Sequence, residues 1–391
     1  MNRRRAYIIC FLVVCVCVTS VAGVQQYTSG KEAVLGDKII YFGTTAASAE
    51  SAGASDDGGQ ASIKNSSAGK NDVEKEKTGF ATPAPSYEPI ISDEKVYTYD
   101  TGTLVVDNTG YEMYDYVESA ADRYAKTINK LTKTLDSGVT VYDMVAPTSI
   151  GITYPDNKKK HLKSRQEDAL KNIERKLSGR ENFVQLYDAL MRHRREYIYF
   201  RTDHHWTQLG AYYAYEAFCR EKGMTPNRLS AYKKKSFSGF LGTYYRDSDQ
   251  NKNLKEDTLE VYYPLSSQVT LEYTNAEGKK GTAPVIADVE NYGESMKYLA
   301  YIAGDNPYTV IKNKDKHDGT SCILVKESYG NAFVPFLVDH YETVYVIDYR
   351  YWEGKLSSFV KAKRAKEVIV LNNVSMTRNS YLIGKLAQII S

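Results

Sequence analysis

Between residues 321 and 373 the chain alternates apolar and amphipathic stretches: SCILVK, Ser328 with a helix-like run to Tyr341, TVYVID, KLSSFVKAKRAK and EVIVL. Short apolar runs separated by helical periods mark βαβ units, whose parallel strands are buried on both faces. Each run ends on polar residues: Ser328, then Tyr349-Arg350-Tyr351-Trp352, then Asn372-Asn373. Ligand sites in open α/β sheets form at the carboxyl ends of strands, so Ser328, Arg350 and Asn373 are expected to face one crevice.

The same rhythm runs upstream. A helix is expected over Met113–Leu135, a buried strand in VTVYDMVAP, helices over Lys163–Leu177 and Tyr187–Arg195, a short strand EYIYF, and a helix over Gly210–Lys222. From about residue 224 to 320 the texture changes to Tyr-rich alternating segments such as LEVYYPL and VTLEYT with Gly-rich turns, which predicts an antiparallel β insertion or subdomain. The fold class is α/β: a parallel sheet with flanking helices and a β-rich insertion.

The N-terminus opens with Met1-Asn2-Arg3-Arg4-Arg5 followed by AYIICFLVVCVCVTSVAGV, a basic flank and an uncharged stretch long enough to cross a bilayer. It reads as a transmembrane anchor or a signal peptide over 1–25, with the anchor favoured because the apolar stretch exceeds a usual signal core. The bulk of the chain is then expected outside the cytoplasm. Residues 26–89, rich in Ala, Ser, Gly, Asp, Lys and Pro over most of their length, bury too little to repay ordering and read as a tether, leaving 90–391 as the folded domain. Outside the apolar segment only Cys219 and Cys322 remain, each in an apolar context that suits a free thiol. A net charge of +3 on 391 residues gives no footprint for nucleic acid.

Chemistry concentrates at Asp203-His204-His205-Trp206, inside YIYFRTDHHWTQLGAYYAYEAF. An acid two residues before a histidine can orient the imidazole and stabilise its charged form when it acts as a base. The missing nucleophile is offered by Ser328, where strand, serine and helix follow in the layout of an activated hydroxyl. Taken alone, Ser328 is also an ordinary helix cap, Asn373 a turn former and Arg350 a partner for Asp348. Trp206 reads as packing, with sugar stacking the lesser option, and His204 points away from the base. A metal held by Asp203, His204 and His205 lacks further ligands at fitting spacing, and no cofactor is expected.

The blocks FRTDHHWTQLGAYYAY, FSGFLGTYYRDS, GDNPYTVI, KESYGNAFVPFL and HYETVYVIDYRYW resemble, in order, those of the DHHW protein family, and beyond it the SGNH (GDSL-like) hydrolases and the alginate O-acetyltransferases. The resemblance implies an SGNH-like sheet in circularly permuted order, with Ser328 as nucleophile, His205 as base and Asp203 as its orienting acid. It further implies Asn373 as an oxyanion donor, with the N–H of Ser328 or Tyr329 as another. Glu327 departs from the aspartate usual before that serine. The implied activity is O-acetyl transfer to a cell-surface or secreted polysaccharide, the acetyl group coming from a multi-pass membrane O-acyltransferase. A deacetylase using water, or a non-catalytic polysaccharide-binding envelope protein, are the alternatives.

Overall fold

The computed structural model describes residues 87–390 and a short antiparallel pair, Ala33–Leu35 with Lys38–Ile40. The expected anchor, and all of the expected tether up to residue 86 except that pair, lie outside the described residues. Among the described residues no helix is long and apolar enough to cross a membrane.

An eight-stranded sheet organises the unit that begins at Tyr87. Its strands are β1 (Thr140–Ala146), β2 (Asn182–Phe183), β3 (Val269–Thr274), β4 (Lys280–Ala283), β5 (Tyr308–Asn313), β6 (Ser321–Lys326), β7 (Thr343–Asp348) and β8 (Glu367–Asn373). They lie in the spatial order β4-β3-β5-β7-β6-β8-β1-β2. The last five are parallel, and β5, β3 and β4 continue the sheet antiparallel. Counted from β6 and wrapped from the last strand to the first, the parallel strands stand in the order 2-1-3-4-5, a common doubly wound arrangement.

The strand period of two divides the core. On one face Tyr142, Met144, Leu324, Val346 and Leu371 pack against the helices Gln208–Lys222 and Tyr329–Leu337. On the other, Val141, Val145, Ile323, Val325, Val368 and Val370 meet the helices Glu118–Thr134, Leu356–Lys363 and Ser380–Ile390. The result is a three-layer α/β sandwich with both faces of the parallel strands covered.

Two expectations need adjustment. The β-rich segment at 224–320 does not stand apart, because β3, β4 and β5 extend the main sheet; Lys233–Phe240 and Asp257–Tyr263 form a separate antiparallel ribbon. The segment EYIYF joins no sheet: Tyr199 makes a single bridge to Trp206 and so closes the turn between them. Its apolar character reflects Ile198, Tyr199 and Phe200 packing together into the core rather than a ladder of strand bonds. Cys219 and Cys322 are both free and buried.

Candidate active site

Ser328 follows β6 and opens the helix Tyr329–Leu337. Its φ of −59° and ψ of −24° are helical, and its side chain caps nothing, so the ordinary cap reading fails. Register sets its level: Lys326 pairs with Leu371 and Asn373 with Ala146, which brings Ser328, Asn373 and Pro147 to one edge of the sheet.

The Asp203 turn is fixed from several sides. Asp257, fully buried, accepts the N–H groups of Arg201 at 3.0 Å and Thr202 at 2.7 Å and the Thr202 hydroxyl at 2.6 Å. Thr207 caps the following helix by accepting Gly210 N–H, and a Cβ on Gly210 would stand 2.4 Å from the Ile198 carbonyl oxygen. Trp206 is fully buried and donates its indole N–H to the Tyr329 carbonyl at 3.0 Å, while Tyr329 returns its hydroxyl to the His204 carbonyl at 2.6 Å. The turn and the helix Tyr329–Leu337 are thereby bolted together.

His205 Nε2 lies 2.7 Å from Ser328 Oγ, and His205 Nδ1 lies 2.6 Å from Asp203 Oδ1. The same carboxylate oxygen accepts the His205 backbone N–H at 3.0 Å, and Oδ2 accepts Thr243 N–H at 2.9 Å. Burial alone would raise the Asp203 carboxyl, but the two neighbouring histidines and these bonds outweigh it and hold it well below the usual carboxylate range. A tautomer with Nδ1–H toward Asp203 leaves Nε2 free to accept the Ser328 proton. Asp203, His205 and Ser328 are each 3–4% exposed, so the contact is shielded from water.

Several neighbours escaped sequence reasoning. The Tyr298 ring stacks on His205 at 3.8 Å between centroids and 12° between planes, and its hydroxyl donates to the Ser328 carbonyl at 3.1 Å. Gly242 packs so tightly on Asp203 that a Cβ there would lie 2.2 Å from the aspartate Cβ. Glu327 ties three parts together: Oε1 accepts Asn373 N–H at 2.9 Å, and Oε2 stands 3.2 Å from both Tyr329 N and Ser328 Oγ. Of these, Gly242 lies in the FSGFLGTYYRDS block and Glu327 in KESYGNAFVPFL, while Tyr298 lies in none of the blocks that carry the resemblance.

The remaining expected site residues divide. Asn373 accepts Ser375 N–H at 2.9 Å through Oδ1, which pins the amide and leaves its NH₂ group as the donor. Tyr329 N–H already serves Glu327, so as an oxyanion donor it starts engaged. Arg350 does not face a substrate crevice: its guanidinium forks onto Asp348 at 2.9 and 2.7 Å and reaches Asp305 at 2.9 Å, in a buried cluster completed by Lys326. The four charges pair with one another, with Lys326 and Asp348 fully buried and Asp305 and Arg350 partly so. Trp206, with no exposed surface, is packing and presents no face to a sugar. Asp203, His204 and His205 are the one cluster among the described residues with metal-ligand spacing, but Asp203 and His205 spend their atoms on each other and on Ser328.

Fold and site together define a doubly wound α/β protein whose strand-end serine meets a histidine–aspartate pair. The chain belongs to the DHHW family: the model for that family, described as DHHW protein, matches residues 53–347. A DHHW family protein from Eubacterium siraeum DSM 15702 is similar in structure, with a TM-score of 0.69 and 30% identity over 78% of this chain and 100% of that one. Bacillus cereus PatB1 shares the fold at a TM-score of 0.60 and 17% identity, over 74% of this chain and 99% of its own, and has also been solved with a sulfonyl adduct. The O-acetyltransferase domain of Pseudomonas putida AlgJ is a weaker likeness, at 14% identity over 75% of this chain and 99% of that one, with a TM-score of 0.41. No curated protein matches the sequence.

Proposed function

We propose that this chain is an SGNH-type serine enzyme that moves acetyl groups to a cell-surface or secreted polysaccharide through an acetyl-serine intermediate. One observation carries the reading: Ser328 Oγ, His205 Nε2, His205 Nδ1 and Asp203 Oδ1 lie in an unbroken chain of hydrogen-bond contacts. A hydroxyl attacks an ester only if its proton has somewhere to go, and positioned base catalysis contributes on the order of 10²–10⁴ in rate. Strand order supports the permuted SGNH scheme, with the serine strand first and the histidine turn following the fifth strand.

In this scheme Ser328 Oγ attacks the acetyl carbonyl while its proton passes to His205 Nε2, and Asp203 stabilises the imidazolium. The oxyanion forms against the amide of Asn373 and the N-terminal end of the Tyr329–Leu337 helix, whose partial positive charge favours it. Collapse expels the donor's alcohol, which takes the proton from His205. A sugar hydroxyl then loses its proton to His205 as its oxygen attacks the acetyl-serine, and the acyl–Oγ bond breaks with that proton passing to Ser328 Oγ. The sulfonyl adduct of PatB1 is the kind of reactivity this reading expects at Ser328.

The charged and apolar pattern of residues 1–25 supports a single-pass anchor with the domain outside the cytoplasm, held near a multi-pass membrane partner that supplies acetyl groups. The test is covalent. A serine-directed fluorophosphonate is expected to label Ser328 in the wild type and not in His205→Ala, and a chromogenic acetyl ester should turn over faster with an oligosaccharide acceptor present. Labelling elsewhere, or labelling indifferent to His205, defeats the proposal; turnover unaffected by acceptor makes it an esterase.

A further inference from the structure

Two strands from the serine, beyond the carboxyl end of β1, a cavity of about 240 Å³ opens beside the chain segment Ser149–Ile152. Tyr114 and Tyr187 give it aromatic walls, Lys159 and Arg165 give it cations, and Ser164 accepts Tyr116 N–H at 2.9 Å while keeping its own proton to donate. Gln166 is already committed to Thr148, at 2.9 and 2.7 Å, and so fixes the cavity to the strand end. The Tyr114 hydroxyl, deeply buried, has no partner among the described residues.

The segment bordering the cavity reads DNKKKHLKSR, from Asp156 to Arg165, and adds Lys158, Lys160 and Lys163 to the two cations at its rim. Acids lie nearby but are shared out. Asp156 serves Lys159 at 2.7 Å and Arg194 at 3.0 Å; Glu167 serves Arg165 at 2.7 Å and Lys171 at 2.6 Å. Asp115 and Asp168 come no nearer than 4.0 Å to Lys163 and Arg165. A surplus of positive charge therefore remains around an aromatic hollow.

The geometry points to a subsite for an anionic saccharide segment, one bearing carboxylate or phosphate. Rings stack on the apolar faces of sugars, hydroxyl and guanidinium donors take their oxygens, and the cations take the charge. An anionic membrane surface would use the lysines but has no need of a walled hollow. β1 lies two strands from β6, about 10 Å at the usual strand spacing. A glycan held there runs along the sheet edge toward Ser328, which rests on the acyl-transfer reading for its purpose but not for its binding.

The experiment titrates full-length protein in detergent with an oligogalacturonate and with a neutral oligosaccharide of equal length. Wild type and Ser328→Ala are expected to bind the acidic ligand alike and at least tenfold tighter than the neutral one, with affinity falling as salt rises. Lys159→Ala/Arg165→Ala should lose that tenfold preference while melting normally, and the charge-keeping Lys159→Arg/Arg165→Lys should recover most of it. Equal binding of both sugars, or undiminished binding by the alanine pair, overturns the subsite. So does capture by phosphatidylserine vesicles that depends on the same two cations. Loss of Ser328 labelling with sugar binding intact would sink acyl transfer alone.

Discussion

Asp203 and Asp143 are both buried carboxylates in the same α/β unit, 4% and 0% exposed, and their pKa values are shifted in opposite directions. Asp203 receives two backbone N–H groups and an imidazole, and stays ionised. Asp143, on β1, receives only the Tyr124 hydroxyl on one oxygen, while the other has no partner among the described residues. Desolvation dominates there, helped by the charge of Glu181, and pushes its pKa up to about 7. Burial therefore does not by itself fix the charge of a carboxylate; the donors gathered around it do.

The sharpest way to break the contrast is Asp203→Asn, which keeps the shape and removes the charge that orders His205. Turnover should fall by roughly 10³–10⁴, as when the acid of a triad becomes an amide, while thermal melting changes little. Normal turnover would mean that Asp203 is no part of the chemistry. Gly242→Ala comes next. A methyl 2.3 Å from Asp203 Oδ2 must displace that carboxylate, so activity should drop about a hundredfold, in line with a misplacement on the scale of 1 Å. An unaltered rate would show that the carboxylate tolerates movement.

The smallest effect is expected at Asp143→Asn. Because the folded pKa lies near 7 and the unfolded one near 3.8, the native state binds the proton more tightly, and wild-type stability declines as pH rises between those values. The ceiling on that loss is about 4 kcal/mol, from about three units at about 1.4 kcal/mol each. The amide removes the charge and should raise stability at pH 8 by about 1–2 kcal/mol after its own imperfect pairing, flattening the profile in denaturant titrations. A wild-type stability independent of pH from 4 to 7 would place Asp143 in a far more polar setting than its contacts describe.

Local patterns carried much of this into the sequence. The parallel strands announced themselves because both their faces are buried, and Asp203, His205 and Ser328 stood out because a polar residue at a strand end interrupts an apolar run. The helix expected over Met113–Leu135 forms only from Glu118 to Thr134, since Thr109–Glu112 is drawn into a strand pair with Thr103–Val106. What stayed hidden depends on distant segments meeting. Alternation in VTLEYT announces a half-buried strand but not its partner, so its union with the main sheet was invisible. Tyr298 stacks on a histidine 93 positions earlier in the chain (298 − 205), and nothing in its own neighbourhood signals that. For Arg350 the sequence left a substrate anion and Asp348 as alternative partners, because the closing of Asp305 and Lys326 around it is a tertiary event.

The position of β8 has a consequence for how the molecule comes into being. This strand ends at Asn373, near the C-terminus, yet it is the only link in the sheet between β6 and β1. Until it pairs, β1 and β2 have no neighbour to join to the rest, so the two halves of the sheet wait for β8. A sheet built this way depends on a pairing of long sequence separation, β8 with β1, which is slow to form. Removing the last strand and helix should leave no smaller folded core, only two sheet fragments with exposed edges.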